Sequence, residues 1–213
     1  MPTDRDLLTL AQWFSPAYPL GGFAYSHGLE AAVAAGWVED AETLHGWLED
    51  ILHDGTGRSD AIWLRLAHRE GADLTDLAAQ ARAYAPSRER LREAERQGGA
   101  FARTTRDIWG IDLPDAVLPV VVGRAVRLLG LDVDMAAALY LQGFAGNLVS
   151  VAQRLLALGQ TEAQAVLASL HGVCAEVAAE TRGAEIDDLF SNCFLSDVAA
   201  MKHETQEPRI FQS

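Results

Sequence analysis

Ser26 and His27 stand side by side in the stretch QWFSPAYPLGGFAYSHGLE, residues 12–30, and a serine beside an imidazole is raw material for nucleophilic catalysis. Adjacency in sequence does not make a dyad. The hydroxyl must lie within hydrogen-bond reach of the ring, and a third group must orient the ring. The residues that follow, Gly28, Leu29, Glu30, Ala31 and Ala32, read as a helix entry. The Ser26 hydroxyl is therefore expected to accept a bond from a first-turn N–H, with Glu30 near the positive end of the helix dipole. His45, Glu49 and His53 form a second constellation, at i, i+4 and i+8 on one helix face. Neutral imidazole suits nickel or zinc, but two histidines eight residues apart cannot share one ion on a straight helix, so a solvated face is expected. Cys174 and Cys193, with His171, are the soft-ligand candidates, set against ordinary buried thiols.

Several chemistries are excluded by what the sequence lacks. Lys202 is the only lysine, so there is no G-x-x-x-x-G-K-[ST] phosphate loop and no Walker-type nucleotide site. No HExxH, zinc-finger spacing, dinucleotide fingerprint or GxSxG elbow occurs. The formal net charge of −13 argues against binding a polyphosphate backbone, which depends on lysine and arginine displacing counterions. Two cysteines without a CxxC make no disulfide framework, and the acidic opening MPTDRDLLTL lacks a secretory pattern; a cytoplasmic protein with reduced thiols is the expectation.

The elements that must position these residues are helical. Leu44, Trp47, Leu48, Ile51 and Leu52 repeat at helical spacing, and a second stripe runs from Leu91 through Ala94, Gly98, Phe101, Ala102, Thr105, Ile108 and Trp109. Ser87 and Asp40 are plausible N-caps, as is Thr161, while Gly36, Gly71, Gly110, Gly130 and Gly159 mark expected stops. The β-like run LPVVVG, residues 118–123, reads better as a helix with Pro119 in its first turn. Seven of the seventeen basic residues fall between Arg82 and Arg106, beside Glu89, Glu93 and Glu95, and are expected to form a solvated face laced with ion pairs.

From Met135 to Gln153 no residue is charged, a length that raises a membrane span; Gln142, Gly143, Gly146, Asn147, Ser150 and Gln153 argue against one. On that helix Tyr140, Gly143, Asn147, Ser150 and Arg154 share a face, either buried centrally or serving as an interface that ends in a charge. The fold predicted is all-α, a single domain over residues 1–213 of about eight to ten helices. Residues 196–213, SDVAAMKHETQEPRIFQS, hold too little apolar surface to fold alone and are expected to be a flexible tail.

Three of these stretches together resemble one family. QWFSPAYPLGGFAYSHGLE is similar to the N-terminal signature of the urease accessory protein F (UreF) family. YLQGFAGNLVSVAQRLLALGQTEAQ, residues 140–164, resembles its central helix and the turn after it, with Ala157 where the family usually has proline. DVAAMKHETQEPRIFQS, residues 197–213, is similar to its S-M-x-H-E-x-Q-x-x-R-[LI]-F-x-S ending, with Ala200 where serine is common.

The resemblance implies an all-α, homodimeric, non-catalytic protein that joins the accessory protein D (H in some organisms) and the accessory GTPase G to deliver nickel to apo-urease. Nickel and GTP would be handled by the complex, with no cofactor, nucleic acid or membrane for this chain. It implies that Met201, Lys202, His203, Glu204, Gln206, Arg209 and Phe211 order against the D/H protein. Tyr140, Asn147, Ser150 and Arg154 would face the GTPase or the nickel route. Pro16, Pro19, Gly21, Gly22, Phe23, Tyr25, Ser26, His27 and Glu30 would form a shaped structural loop, with Trp13, Phe23 and Tyr25 anchoring it into the core or a dimer seam. Two rivals stay open on the residues alone: a small hydrolase using Ser26 and His27, and a direct nickel carrier using His45, Glu49, His53 or the cysteines.

Overall fold

Capped amphipathic segments account for most of the chain. A computed structural model describes residues 3–213. The first helix, α1 (Asp4–Trp13), opens with a reciprocal box in which Thr3 and Asp6 cap each other. A loop leads to the short α2 (Leu29–Ala34), then to α3 (Ala41–Asp54), whose N-cap is the expected Asp40. All five stripe residues of α3 are buried, each contributing roughly 1.5–3 kcal/mol relative to exposure. Gly55 breaks α3 from α4 (Thr56–His68), which is buried along most of its length.

The next helices are α5 (Leu74–Ala83), α6 (Arg88–Trp109) and α7 (Leu118–Leu129). Ser87 caps α6 by accepting from the Arg90 amide, and Pro119 sits in the first turn of α7. Helices α6 and α7 stop at Gly110 and Gly130. Helix α8 (Val133–Leu155), charged only at Asp134 and Arg154, follows, capped by Asp132, then α9 (Gln160–Ser169), α10 (His171–Glu180) and α11 (Phe194–His203). Among the described residues every regular element is helical, and α3/α4 and α9/α10 are each split by one residue, which leaves nine helices when each pair is counted as one.

The core gathers around α8, which meets α1, α2, α3, α4, α7, α9 and α10. Helix α8 is long and apolar enough to cross a membrane by composition, and half of its apolar window lies inside the bundle. A smaller cluster, including Ile62, Trp63, Leu77 and Val120, lies where α4 and α7 meet α5. Two glycines set how closely neighbours approach: a Cβ on Gly123 would stand 2.0 Å from the Leu64 carbonyl oxygen, and one on Gly98 equally close to that of Ala116.

Some expectations are corrected. Gly159 begins α9 rather than ending a helix, which leaves Thr161 inside it. Ile108 is exposed, because α6 rotates Phe101, Ala102 and Thr105 inward. The tail is not a free segment: residues through His203 form α11, and Phe211 and Ser213 are buried against the body. Polar groups hold it in place of the apolar area it lacks.

Candidate partner-docking site

The loop between α1 and α2, the face of α8 and the tail converge at one place. The loop is shaped by backbone that few residues adopt. His27 has φ 57° and Gly28 has φ 78°, the left-handed region, where a side chain is strained. Gly28 is required on a second count, since a Cβ there would lie 2.7 Å from the Ala200 amide of α11.

The expected stripe on α8 receives this loop. Tyr140 packs edge-on against Phe14, and Gly143 leaves room for the Phe14 backbone. Asn147 donates from Nδ2 to the Gly22 carbonyl at 3.2 Å, and Arg154 donates from Nη1 to the Phe23 carbonyl at 2.8 Å. The Arg154 guanidinium also lies over the Phe211 ring, 4.3 Å from its centroid, a cation–π contact. Ser150 is exposed and donates only to the Gly146 carbonyl of its own helix. The stripe is thus an interface first of all with the chain's own loop and tail. Trp13 and Tyr25 are buried as expected, whereas Phe23 is 74% exposed, because its carbonyl rather than its ring is what α8 holds. Pro16 and Pro19 lie in the turns before it.

Ser26 and His27 do not form a dyad. The Ser26 hydroxyl donates to the Ser213 carbonyl and accepts from the Glu30 amide at 3.3 Å. It serves the first turn of α2 from two residues before the N-cap, which is Gly28. The His27 ring pairs through Nε2 with Thr56 at 3.2 Å and packs against Phe144. Burial, with the charge of Arg90, holds the His27 ring well below its ordinary pKa.

The tail is locked by carboxylates of α2 and α6. Glu30, nearly buried, accepts from the amides of Ile210 at 2.7 Å and Phe211 at 2.9 Å. His203 is fully buried with Glu89 at Nδ1 (2.7 Å) and Glu30 at Nε2 (3.2 Å). Arg209 reaches the other oxygen of Glu89 at 2.5 Å, and Ser213 donates to Glu93, which also pairs with Arg90. Glu204 accepts from Arg88, and Lys202 lies over Trp37. Met201 is exposed and Gln206 half-buried. The tail residues expected to await a partner are therefore largely engaged within the chain, since charge-assisted bonds replace the missing apolar area.

Sequence reasoning placed Glu89, Arg90 and Glu93 on a solvated face; all three are buried. Their spacing on the same side as Phe101 was the available signal. Asp60 gave no signal at all. It accepts from the Tyr140 hydroxyl at 2.6 Å in a cleft shared with Arg90 and Asp197, and burial pushes its carboxyl up to about 6 against the smaller lowering by Tyr140 and Arg90. Because its folded pKa lies above the unfolded value, Asp60 costs stability as pH rises from about 4 to about 6. Asp60→Asn is therefore expected to gain on the wild type across that interval, by about 1–3 kcal/mol. Urea denaturation of both proteins at several pH values checks it; a constant difference would refute the assignment.

The metal candidates stay apart. His45 meets Glu49 at 3.7 Å on α3, with His53 one turn beyond Glu49. Burial pushes the thiols of Cys174 and Cys193 up to about 11, away from the thiolate that ligates metal. Among the described residues no three His, Cys, Asp or Glu side chains gather as a metal site.

Comparison with known proteins agrees with the motif pattern. The UreF family model matches residues 38–171. The chain is 54% identical over 207 residues to "Urease accessory protein UreF" of Cereibacter sphaeroides (strain KD131), covering 97% of this chain and 98% of that one. It is 45% identical to the protein of that name from Ruegeria pomeroyi, over all of this chain and 99% of the other. The corresponding Roseobacter denitrificans protein is 47% identical, with 96% of its length covered.

Proposed function

The chain belongs to the UreF family, and from that premise we propose that it is an accessory protein of urease maturation, acting as a non-catalytic scaffold for nickel insertion. In this reading it works in the cytoplasm as a homodimer, joining the accessory GTPase to the D/H protein and both to apo-urease. Nickel is the cargo of the assembly, and GTP is bound by the partner that carries the phosphate loop absent here.

The observation that carries this reading is the three-way junction of loop, α8 and tail. All three stretches that distinguish the sequence are used to build one rigid surface. The same junction leaves apolar groups outside: Phe23, whose carbonyl Arg154 holds, Ile210, the chain neighbour of Phe211, and Phe194, Leu195, Val198 and Met201 along one face of α11, all exposed. Contiguous exposed apolar groups of this kind support partner docking. We assign the α11 face to the D/H protein and the Arg154 side to the GTPase. A scaffold of this kind couples GTP turnover to metal release by contacting two states of its partner differently.

The test is co-purification of the tagged protein with the D/H and GTPase proteins of the same operon, with and without GTP and nickel. A stoichiometric complex with two copies of this chain is expected; a protein that captures neither partner would refute the reading. Within that assay Arg154→Ala is expected to fold normally, since the exposed hydrogen bond to the Phe23 carbonyl and the cation–π contact with Phe211 contribute together only about 1–2.5 kcal/mol. Urease activation should fall about tenfold, corresponding to one lost interface contact of about 1.4 kcal/mol. Full activation by the variant would remove Arg154 from the docking surface.

A further inference from the structure

Helix α6 segregates its charges in the sense opposite to an ordinary surface helix. Its carboxylates Glu89 and Glu93 face inward to hold the tail, and Glu95 is taken by Arg82 of α5 at 2.9 Å. Outside stand Arg92, Arg96 and Arg103, all exposed, on one face with Gly99 between the last two. Arg92 and Arg103 make no ion pair or side-chain hydrogen bond among the described residues, and Arg96 meets only the neutral amide oxygen of Gln212, at 2.9 Å. Arg88, one turn earlier, is 81% exposed although it reaches Glu204. A side chain added at Gly99 would meet the Arg103 guanidinium at 3.3 Å. The glycine thus lets that group lie back along the helix toward Arg96. Asp107, one turn beyond Arg103, is the exposed acid at the end of the row and pairs with neither.

In a chain with 30 acidic and 17 basic residues, carboxylates to neutralise these guanidiniums are plentiful, yet none pairs with Arg92 or Arg103 among the described residues. The row is also continuous with the junction: Arg96 holds Gln212, the neighbour of Phe211, on whose ring Arg154 lies. We propose that the outer face of α6, through Arg92, Arg96 and Arg103, is an electrostatic docking strip for a carboxylate-rich segment of the protein that binds at Arg154.

This rests on the reading above, in which that protein is the GTPase. Guanidiniums in a row one and two turns apart match carboxylates along a helix or extended segment and bind them in two-pronged fashion. Three guanidiniums suffice for a short carboxylate-rich segment, whereas binding a phosphate backbone takes many more cations than one row in a chain of net charge −13 supplies. Such a strip acts mostly on encounter rate and orientation, so its effect is strongest at low salt.

The test uses Arg92→Glu/Arg103→Glu in the full-length protein, with Arg96 left in place because it touches the tail. Neither replaced side chain has a partner to lose, so circular dichroism and the thermal midpoint should match the wild type. Capture of the GTPase by the variant is expected to fall about tenfold at low salt, with the gap narrowing as salt rises. Capture of the D/H protein should be unchanged, and Arg92→Lys/Arg103→Lys should recover most of the loss. Equal capture of the GTPase by wild type and the Glu variant overturns the strip while leaving the scaffold reading standing. A change in the variant's oligomeric state alone, with GTPase capture intact, also overturns it and assigns the strip to a second copy of this chain. If the wild type captures no GTPase at all, the strip falls together with the scaffold reading.

Discussion

Alanine at Gly123 is expected to destabilise the protein by about 3 kcal/mol or more. Two effects oppose each other at this position. Inside a helix, glycine to alanine ordinarily gains about 1 kcal/mol, because the backbone loses less freedom on folding. Here the added Cβ meets the Leu64 carbonyl oxygen at 2.0 Å and the Leu64 carbonyl carbon at 2.9 Å. These are backbone atoms of a buried helix and cannot rotate away as a side-chain end would. Helices α4 and α7 must separate, and the buried residues between them, Leu64, Val120 and Val121 among them, lose contact. Gly46→Ala is the matched control, since Gly46 lies inside α3 with nothing within 4 Å of its would-be Cβ; it should gain about 0.5–1 kcal/mol. Urea denaturation of both variants decides the matter. A Gly123→Ala protein as stable as the wild type would mean that the α4–α7 approach is looser than described.

The second large effect is expected at Glu30. Replacing it with alanine leaves the amides of Ile210 and Phe211 and one nitrogen of His203 without their acceptor, the last two buried and the first half-buried. Each stranded donor costs about 1–3 kcal/mol, so staying docked would cost the tail about 3–9 kcal/mol. The tail is expected to release instead, limiting the global loss and concentrating the effect locally. Hydrogen exchange is the measurement: the amides of Ile210 and Phe211 should lose protection, while those of α4 and α8 keep theirs. Glu30→Gln retains one acceptor oxygen and should fall between. Unchanged protection at Phe211 in Glu30→Ala would show that the Phe211 ring and Arg209 hold the tail without the carboxylate.

How much could be read in advance follows from the range of each interaction. The stripe of α3, its Asp40 cap, the Ser87 cap and the helical nature of residues 118–129 rest on contacts within a few residues, and periodicity exposes them. The face of α8 could be recognised, but not what covers it; the small residues Gly143 and Ser150 signal close approach without naming the neighbour. The tail was misjudged because its partners lie far off in sequence. Ser213 bonds to Ser26 and Glu93, and Phe211 to Glu30, and the spacing that sets Glu89 and Glu93 on the Phe101 side of α6 does not name the distant groups they hold. Phe23 shows the same limit, since whether the ring or the carbonyl is the anchored group depends on where Arg154 ends. Asp60 was invisible because a lone aspartate inside an apolar helix pattern acquires meaning only from Tyr140, eighty residues away.

The closure between Glu30 and His203 spans 173 residues, which places a constraint on biosynthesis. At about 5–20 residues per second, the ribosome takes roughly 10–35 s to travel from one to the other. Throughout that interval Glu30 is translated and uncompensated, and the loop before it lacks the strand of chain that closes its far side. Helices α3 to α8 have their contacts available much earlier. The junction that distinguishes this protein is therefore completed last, after the bundle beneath it has formed, and a nascent chain passes through a stage that has the core but not the surface.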